Sequence, residues 1–107
     1  MYLWHQYYNC MFSLSEENYL KSIYHLEAIH GKGISTNSIA KKLETKASSV
    51  TDMIKKLAEK EVLVYKKYQG VSLTTLGRKE AITIVRKHRL WEVFLVDKLN
   101  FSWDEVH

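Results

Sequence analysis

The sequence contains no proline, four glycines and one cysteine among its 107 residues. So few turn-forming residues favour helices joined by short links and argue against an all-β fold. Cys10 has no partner within the chain, which excludes an intrachain disulfide and fits a reducing, cytoplasmic setting. Nowhere do 18 apolar residues run together, so no membrane-spanning helix is expected. Residues 1–12 are rich in Tyr, Trp and His but hold no Lys or Arg. They lack the charged start and apolar core of a signal peptide. Residues 1–13 therefore read as a loose or weakly docked extension, and Met11, just before the periodic sequence, is a second candidate start.

What is present is ordinary in amount and uneven in placement. Hydrophobic residues make up 46% and charged residues 26%, values that suit a folded domain and not a disordered chain. The length allows one domain and the beginning of a second. Residues 31–89 hold 14 of the 16 Lys and Arg but five of the 12 Asp and Glu, a net of +9 there against −5 in the rest. A concentrated positive field suits a polyanionic partner, because neutralising phosphates releases condensed counterions. A solvated lysine-rich surface would look the same by charge alone.

Hydrophobic spacing divides the chain into elements. Ser15 is the expected cap of a first helix carrying Tyr19, Leu20, Ile23, Tyr24 and Leu26, which ends at Gly31-Lys32-Gly33. Ser35 opens a second, short helix with Ile39, Ala40 and Leu43 inward. After a turn through Glu44, Thr45 and Lys46, a third helix runs from about Ala47 to Lys60, with Val50, Met53, Ile54, Leu57 and Ala58 on one stripe. The period then changes to that of a hairpin, Val62 to Tyr65 and Val71 to Thr74, joined through Gly70. Thr74 or Thr75 caps a long helix reaching about Leu99, with Gly77 a tolerated guest in its first turn. Ser102 and Glu105 form the Ser-x-x-Glu of a capping box, so another helix is starting where the sequence stops at His107, and further sequence is expected beyond it.

Two short helices across a tight turn followed by a hairpin is the winged helix-turn-helix pattern. Its second helix enters the major groove with its N-terminal residues at the base edges. The fold class expected is mainly α with a small β-hairpin. A winged helix-turn-helix over residues 14–76 leads into a long helix that begins a helical dimerisation domain over 77–107. On the third helix Ser48, Asp52 and Lys55 lie at i, i+4 and i+7 opposite the apolar stripe, with Ser49 and Thr51 beside them. Small hydroxyls allow close approach to bases or phosphates. Lys46, Lys55 and Lys56 are placed for phosphates, and Lys66 and Lys67 at the hairpin tip for the backbone or minor groove. Asp52 can accept from a cytosine amine but repels phosphate elsewhere. The same geometry also serves protein contacts, and Ser and Thr also simply start helices.

With these stretches laid out, the sequence resembles the diphtheria toxin repressor and manganese transport regulator family of iron- or manganese-dependent repressors. The resemblance covers about Leu14 to His107. It rests on Glu17 to Tyr24, Ser48 to Thr51, Lys67 to Thr74, and above all Arg86-Lys87-His88-Arg89-Leu90-Trp91-Glu92-Val93-Phe94-Leu95, followed by Trp103 to His107. It implies a homodimer that binds a palindromic operator when Fe²⁺ or Mn²⁺ is plentiful and represses metal-uptake genes. It also implies two neighbouring metal sites, one of them using His88, Glu92 and His107. Imidazole with carboxylate suits divalent first-row metals. Taken without the family, a His and a Glu four apart on a helix are usually a surface hydrogen bond. Where the family places Asp or Met on the first helix this sequence has Asn18, which can ligate only weakly through its carbonyl oxygen. Where manganese-type members add a Glu one turn later it has Lys21, against the manganese-type site. Trp91, Phe94, Leu95 and Leu99 would begin the dimer surface.

Three other readings compete. A winged-helix regulator could bind DNA without metal, His88 and Glu92 being merely polar. A protein-interaction winged helix could set its lysines against an acidic partner. A hydrolytic metal at His88, Glu92 and His107 would need a further general base, nucleophile motif or glycine-rich phosphate loop, and none is visible, so no enzyme is expected.

Overall fold

Ser13, not Ser15, starts the first helix. In the computed structural model, which describes residues 12–99, helix α1 spans Leu14–His30. The Ser13 hydroxyl accepts from the Glu16 N–H at 3.1 Å, and the Glu16 carboxylate accepts from the Ser13 N–H at 2.7 Å. That reciprocal capping box requires Glu three residues after the cap, which Ser13 has and Ser15 lacks. Phe12 is buried in the core, so two residues assigned to the extension belong to the folded unit.

Helix α2 spans Thr36–Leu43, capped by Ser35, whose hydroxyl accepts from the Ser38 N–H at 3.0 Å. It stops at Glu44 in left-handed conformation, and helix α3 follows over Ala47–Glu59. Val50, Ile54 and Leu57 of α3 are buried with Met53 and Ala58 packed beside them, as the 3.6-residue stripe requires. Strands β1, Leu63–Lys66, and β2, Gly70–Leu73, pair antiparallel with Leu63 opposite Leu73 and Lys66 opposite Gly70.

The link between α1 and α2 is tied to this hairpin. Ile34 and Val71 exchange backbone hydrogen bonds of 2.8 and 2.7 Å. Gly70 is what lets the two backbones meet, since a Cβ there would lie 2.7 Å from the Ile34 carbonyl oxygen. Helix α4, Thr75–Leu99, then begins with the Thr74 hydroxyl accepting from the Gly77 N–H at 3.0 Å. Gly77 is more than a tolerated guest. Its Cα sits so close to the Val62 carbonyl that any Cβ would overlap it.

Around these contacts lies one core. Leu20 and Ile23 of α1, Ile39 of α2, Leu57 of α3, Leu63 and Val71 of the hairpin, and Ala81 and Ile84 of α4 are all buried in it. Helix α4 packs against α1 along its first half. At 25 residues it is about 37 Å long, and beyond the core Leu90, Trp91, Val93 and Phe94 are exposed. The helix expected from Ser102 lies outside the described residues.

Candidate nucleic-acid interface and ligand-bearing helix

The exposed face of α3 is defined by what its stripe leaves over. With Val50, Ile54 and Leu57 buried, Ser48, Ser49, Thr51, Asp52, Lys55 and Lys56 are all exposed, and Lys46 stands exposed at the helix start. The Thr51 hydroxyl donates to the Ala47 carbonyl at 3.1 Å, which leaves its oxygen as an acceptor toward a partner. Ser49 edges a depression shared with Asn18, Tyr19, Thr45 and Met53, so it lies at the side of this face and Ser48 nearer its centre.

Strand β1 packs against α3 and carries Lys66 at its end, with Lys67 following in the turn, both exposed. Among the described residues, no carboxylate forms an ion pair with Lys46, Lys55, Lys56, Lys66 or Lys67. Their charge is available to an outside anion. All nine residues singled out for DNA in the sequence are thus at the surface, on α3, its entry and the hairpin.

The region of the candidate metal ligands is arranged differently. His88 and Glu92 lie one turn apart on α4, both half-buried. His88 Nε2 is 3.4 Å from Glu17 Oε1, and Lys87 Nζ is 2.7 Å from Glu17 Oε2. Glu17, with a side chain only 9% exposed, therefore receives two cationic or donor groups from α4. If Nε2 carries the imidazole proton, it donates to Glu17 and leaves the Nδ1 lone pair free, the arrangement by which a carboxylate fixes the tautomer of a ligating His. Imidazole and carboxylate are the right donor chemistry for a first-row divalent ion. Among the described residues, however, no three His, Cys, Asp or Glu side chains come together as a metal site. His107 lies outside the described residues. Asn18 is exposed and borders the depression on the α2–α3 side of α1.

Sequence reasoning missed the three buried glutamates of α1. Glu16 meets Lys60 at 2.9 Å, Glu17 meets Lys87 and His88, and Glu27 meets Arg78 at 2.9 Å while accepting from the Leu73 N–H at 2.7 Å. A signal was available, because Glu17 and Glu27 fall three before and seven after Leu20, on its own helical face. A charge on the core stripe must be paired or it would not be buried. Burial would raise the Glu16 carboxyl; its bonds from the Ser13 backbone and Lys60 outweigh that and hold it below the ordinary carboxylate value.

The fold and its lysine-lined helix define a winged helix-turn-helix domain followed by a long, partly exposed helix. Comparison with known proteins narrows this. The family of the iron dependent repressor N-terminal DNA binding domain matches residues 11–71, and that of the iron dependent repressor metal binding and dimerisation domain matches residues 74–107. The chain belongs to the iron-dependent repressor family. It is 45% identical over 82 residues to the HTH-type transcriptional regulator MntR of Geobacillus kaustophilus, covering 76% of this chain and 57% of that protein. It is 37% identical over 91 residues to the iron-dependent repressor IdeR of Mycobacterium leprae, covering 85% of this chain and 39% of that one. Among solved structures, that of the manganese regulator SloR superposes with a TM-score of 0.75 at 42% identity, over 86% of this chain and 42% of that one. The chain thus spans about half the length of such relatives, or less.

Proposed function

We propose that this chain is the DNA-reading part, and the first portion of the sensor, of a metal-dependent transcriptional repressor. Residues 14–76 bind double-stranded DNA, with α3 in the major groove and the hairpin on the flanking backbone. Residues 77–107 begin the metal-binding and dimerisation domain. His88, Glu92 and His107 hold Mn²⁺ or Fe²⁺, and Asn18 at most supplies a weak carbonyl donor. When bound, the ion supplies the link that favours the DNA-binding arrangement.

The exposed stripe of Leu90, Trp91 and Phe94 is the start of a homodimer contact, and the two-fold symmetry of the dimer calls for a palindromic operator. The genes controlled are those of metal uptake, and the protein acts in the cytoplasm without a catalytic step. Among the described residues no helix is long and apolar enough to cross a membrane.

One observation carries the reading: a run of lysines with no carboxylate partners flanks a hydroxyl-bearing helix face in a fold shared with a manganese regulator. A second reading, metal-independent DNA binding, draws support from the engagement of His88 by Glu17. Fluorescence anisotropy with the DNA upstream of the gene and with a scrambled duplex, each with and without Mn²⁺ or Fe²⁺, separates the two. Metal-tightened specific binding, lost in His88→Ala, is the expected result. Specific binding indifferent to metal supports the second reading, and no binding to either duplex removes both.

A further inference from the structure

The tip of the hairpin carries a tyrosine where the backbone favours another residue. The turn is closed by the Gln69 N–H donating to the Lys66 carbonyl at 2.9 Å, with Lys67 and Tyr68 as its central pair. Tyr68 has φ +68°, the left-handed region that turns of this kind fill with Gly or Asn. Among the described residues two other non-glycine residues have positive φ, Glu44 and Glu61, and both sit just past helix ends, where such a residue commonly closes the last turn. Tyr68 has no such duty.

Packing does not explain it either. Its side chain is 94% exposed, and its ring meets Lys67 Nζ at 5.2 Å from the centroid. A single exposed aromatic means little by itself. An exposed aromatic held in a strained turn is different, because the strain stabilises nothing in the folded chain.

The surroundings indicate the partner. Residues 62–79 contain no Asp or Glu but hold Lys66, Lys67, Arg78 and Lys79. Lys32 and Lys66 line one groove beside the hairpin. Strand β1 packs against α3, and the turn at the tip comes close to the α1–α2 link, where a Cβ on Gly33 would lie 2.5 Å from the Gln69 carbonyl oxygen. A ring in that field suits a polyanion with apolar sugar faces between its charges.

We infer that Tyr68 is a DNA-anchoring residue, its ring against a deoxyribose and its hydroxyl on a phosphate oxygen at the edge of the minor groove, with Lys66 and Lys67 on neighbouring phosphates. The contact carries no base information, so it strengthens binding on any duplex. This rests on the DNA-binding reading above and adds a residue to it.

The test pairs stability with affinity, using Tyr68→Asn and Tyr68→Gly, which the turn geometry tolerates, and Tyr68→Phe. Relieving the strain should raise Tm by a few degrees in the first two. The same two should weaken binding roughly tenfold on operator and scrambled duplex alike. The slope of log affinity against log salt should stay unchanged, because a neutral hydroxyl releases no counterion. Tyr68→Phe should lose a smaller part of the affinity. Wild-type affinity in Tyr68→Asn and Tyr68→Gly would overturn the inference while leaving the DNA-binding reading intact. So would a fall in Tm, or a weakened affinity that sedimentation traces to a broken dimer. Absence of DNA binding by the unaltered chain would remove both together.

Discussion

Two sets of basic residues in this chain have opposite fates. Along the seam where α1 meets α3 and α4, Lys60, Arg78 and Lys87 each end on a buried carboxylate, at 2.9, 2.9 and 2.7 Å. On α3 and the hairpin, Lys55, Lys56, Lys66 and Lys67 meet no carboxylate among the described residues. The first set fastens helices to one another; the second keeps its charge for something outside. A count of lysines therefore overstates the positive field open to an outside partner. The residues that matter for it are those left over once the buried glutamates of α1 have taken their partners.

If that division holds, changes in the seam should alter stability and spare DNA affinity, and changes on the reading face should do the reverse. The largest effect is expected at Glu27, whose carboxylate serves both the Leu73 N–H and Arg78. Glu27→Ala strands a buried donor and an Arg, and should lower the unfolding free energy by about 3 kcal/mol in a urea titration. Glu27→Gln, which keeps one acceptor, should lose less. An unaltered midpoint in Glu27→Ala would dissolve the distinction from the structural side.

Next in size is the double change Lys66→Ala with Lys67→Ala. It should weaken binding to every duplex and reduce the salt slope by about two, one for each phosphate no longer neutralised. Stability should stay within about 0.5 kcal/mol, as for surface positions generally. An unchanged salt slope would take the hairpin out of the interface.

The smallest effect concerns pH. The Glu16 carboxyl titrates below its ordinary 4.5, so the stability it contributes is complete above that pH and is lost as pH falls below it. Glu16→Gln should flatten the acid side of a stability-against-pH curve while DNA affinity at pH 7 stays the same. A curve as steep as that of the unaltered chain would place the acid sensitivity elsewhere.

Much of the fold was legible because local chemistry repeats at the period of the element. The α3 stripe, the Ser35 cap and the presence of the hairpin follow from spacing and turn residues alone. The first cap was misplaced between two serines two residues apart, although Ser13 and Glu16 already satisfied Ser-x-x-Glu. Gly77 was underestimated for a different reason. Its need to be glycine comes from the Val62 carbonyl, fifteen residues earlier, and no helix rule contains that contact. On α4 the spacing of His88 and Glu92 is legible in the sequence, but the Glu17 carboxylate against His88 is not.

By itself the sequence determined the kind and order of the elements, the face of α3 turned outward and the concentration of positive charge in its middle. These depend on residues a few positions apart, where helical and strand periods place side chains directly. Only the tertiary structure decided which cations are occupied and which are free. The Lys60, Arg78 and Lys87 pairs join residues 44, 51 and 70 positions apart, brought together when the apolar faces of α1, α3, the hairpin and α4 are buried in one core and the carboxylates buried with them need partners.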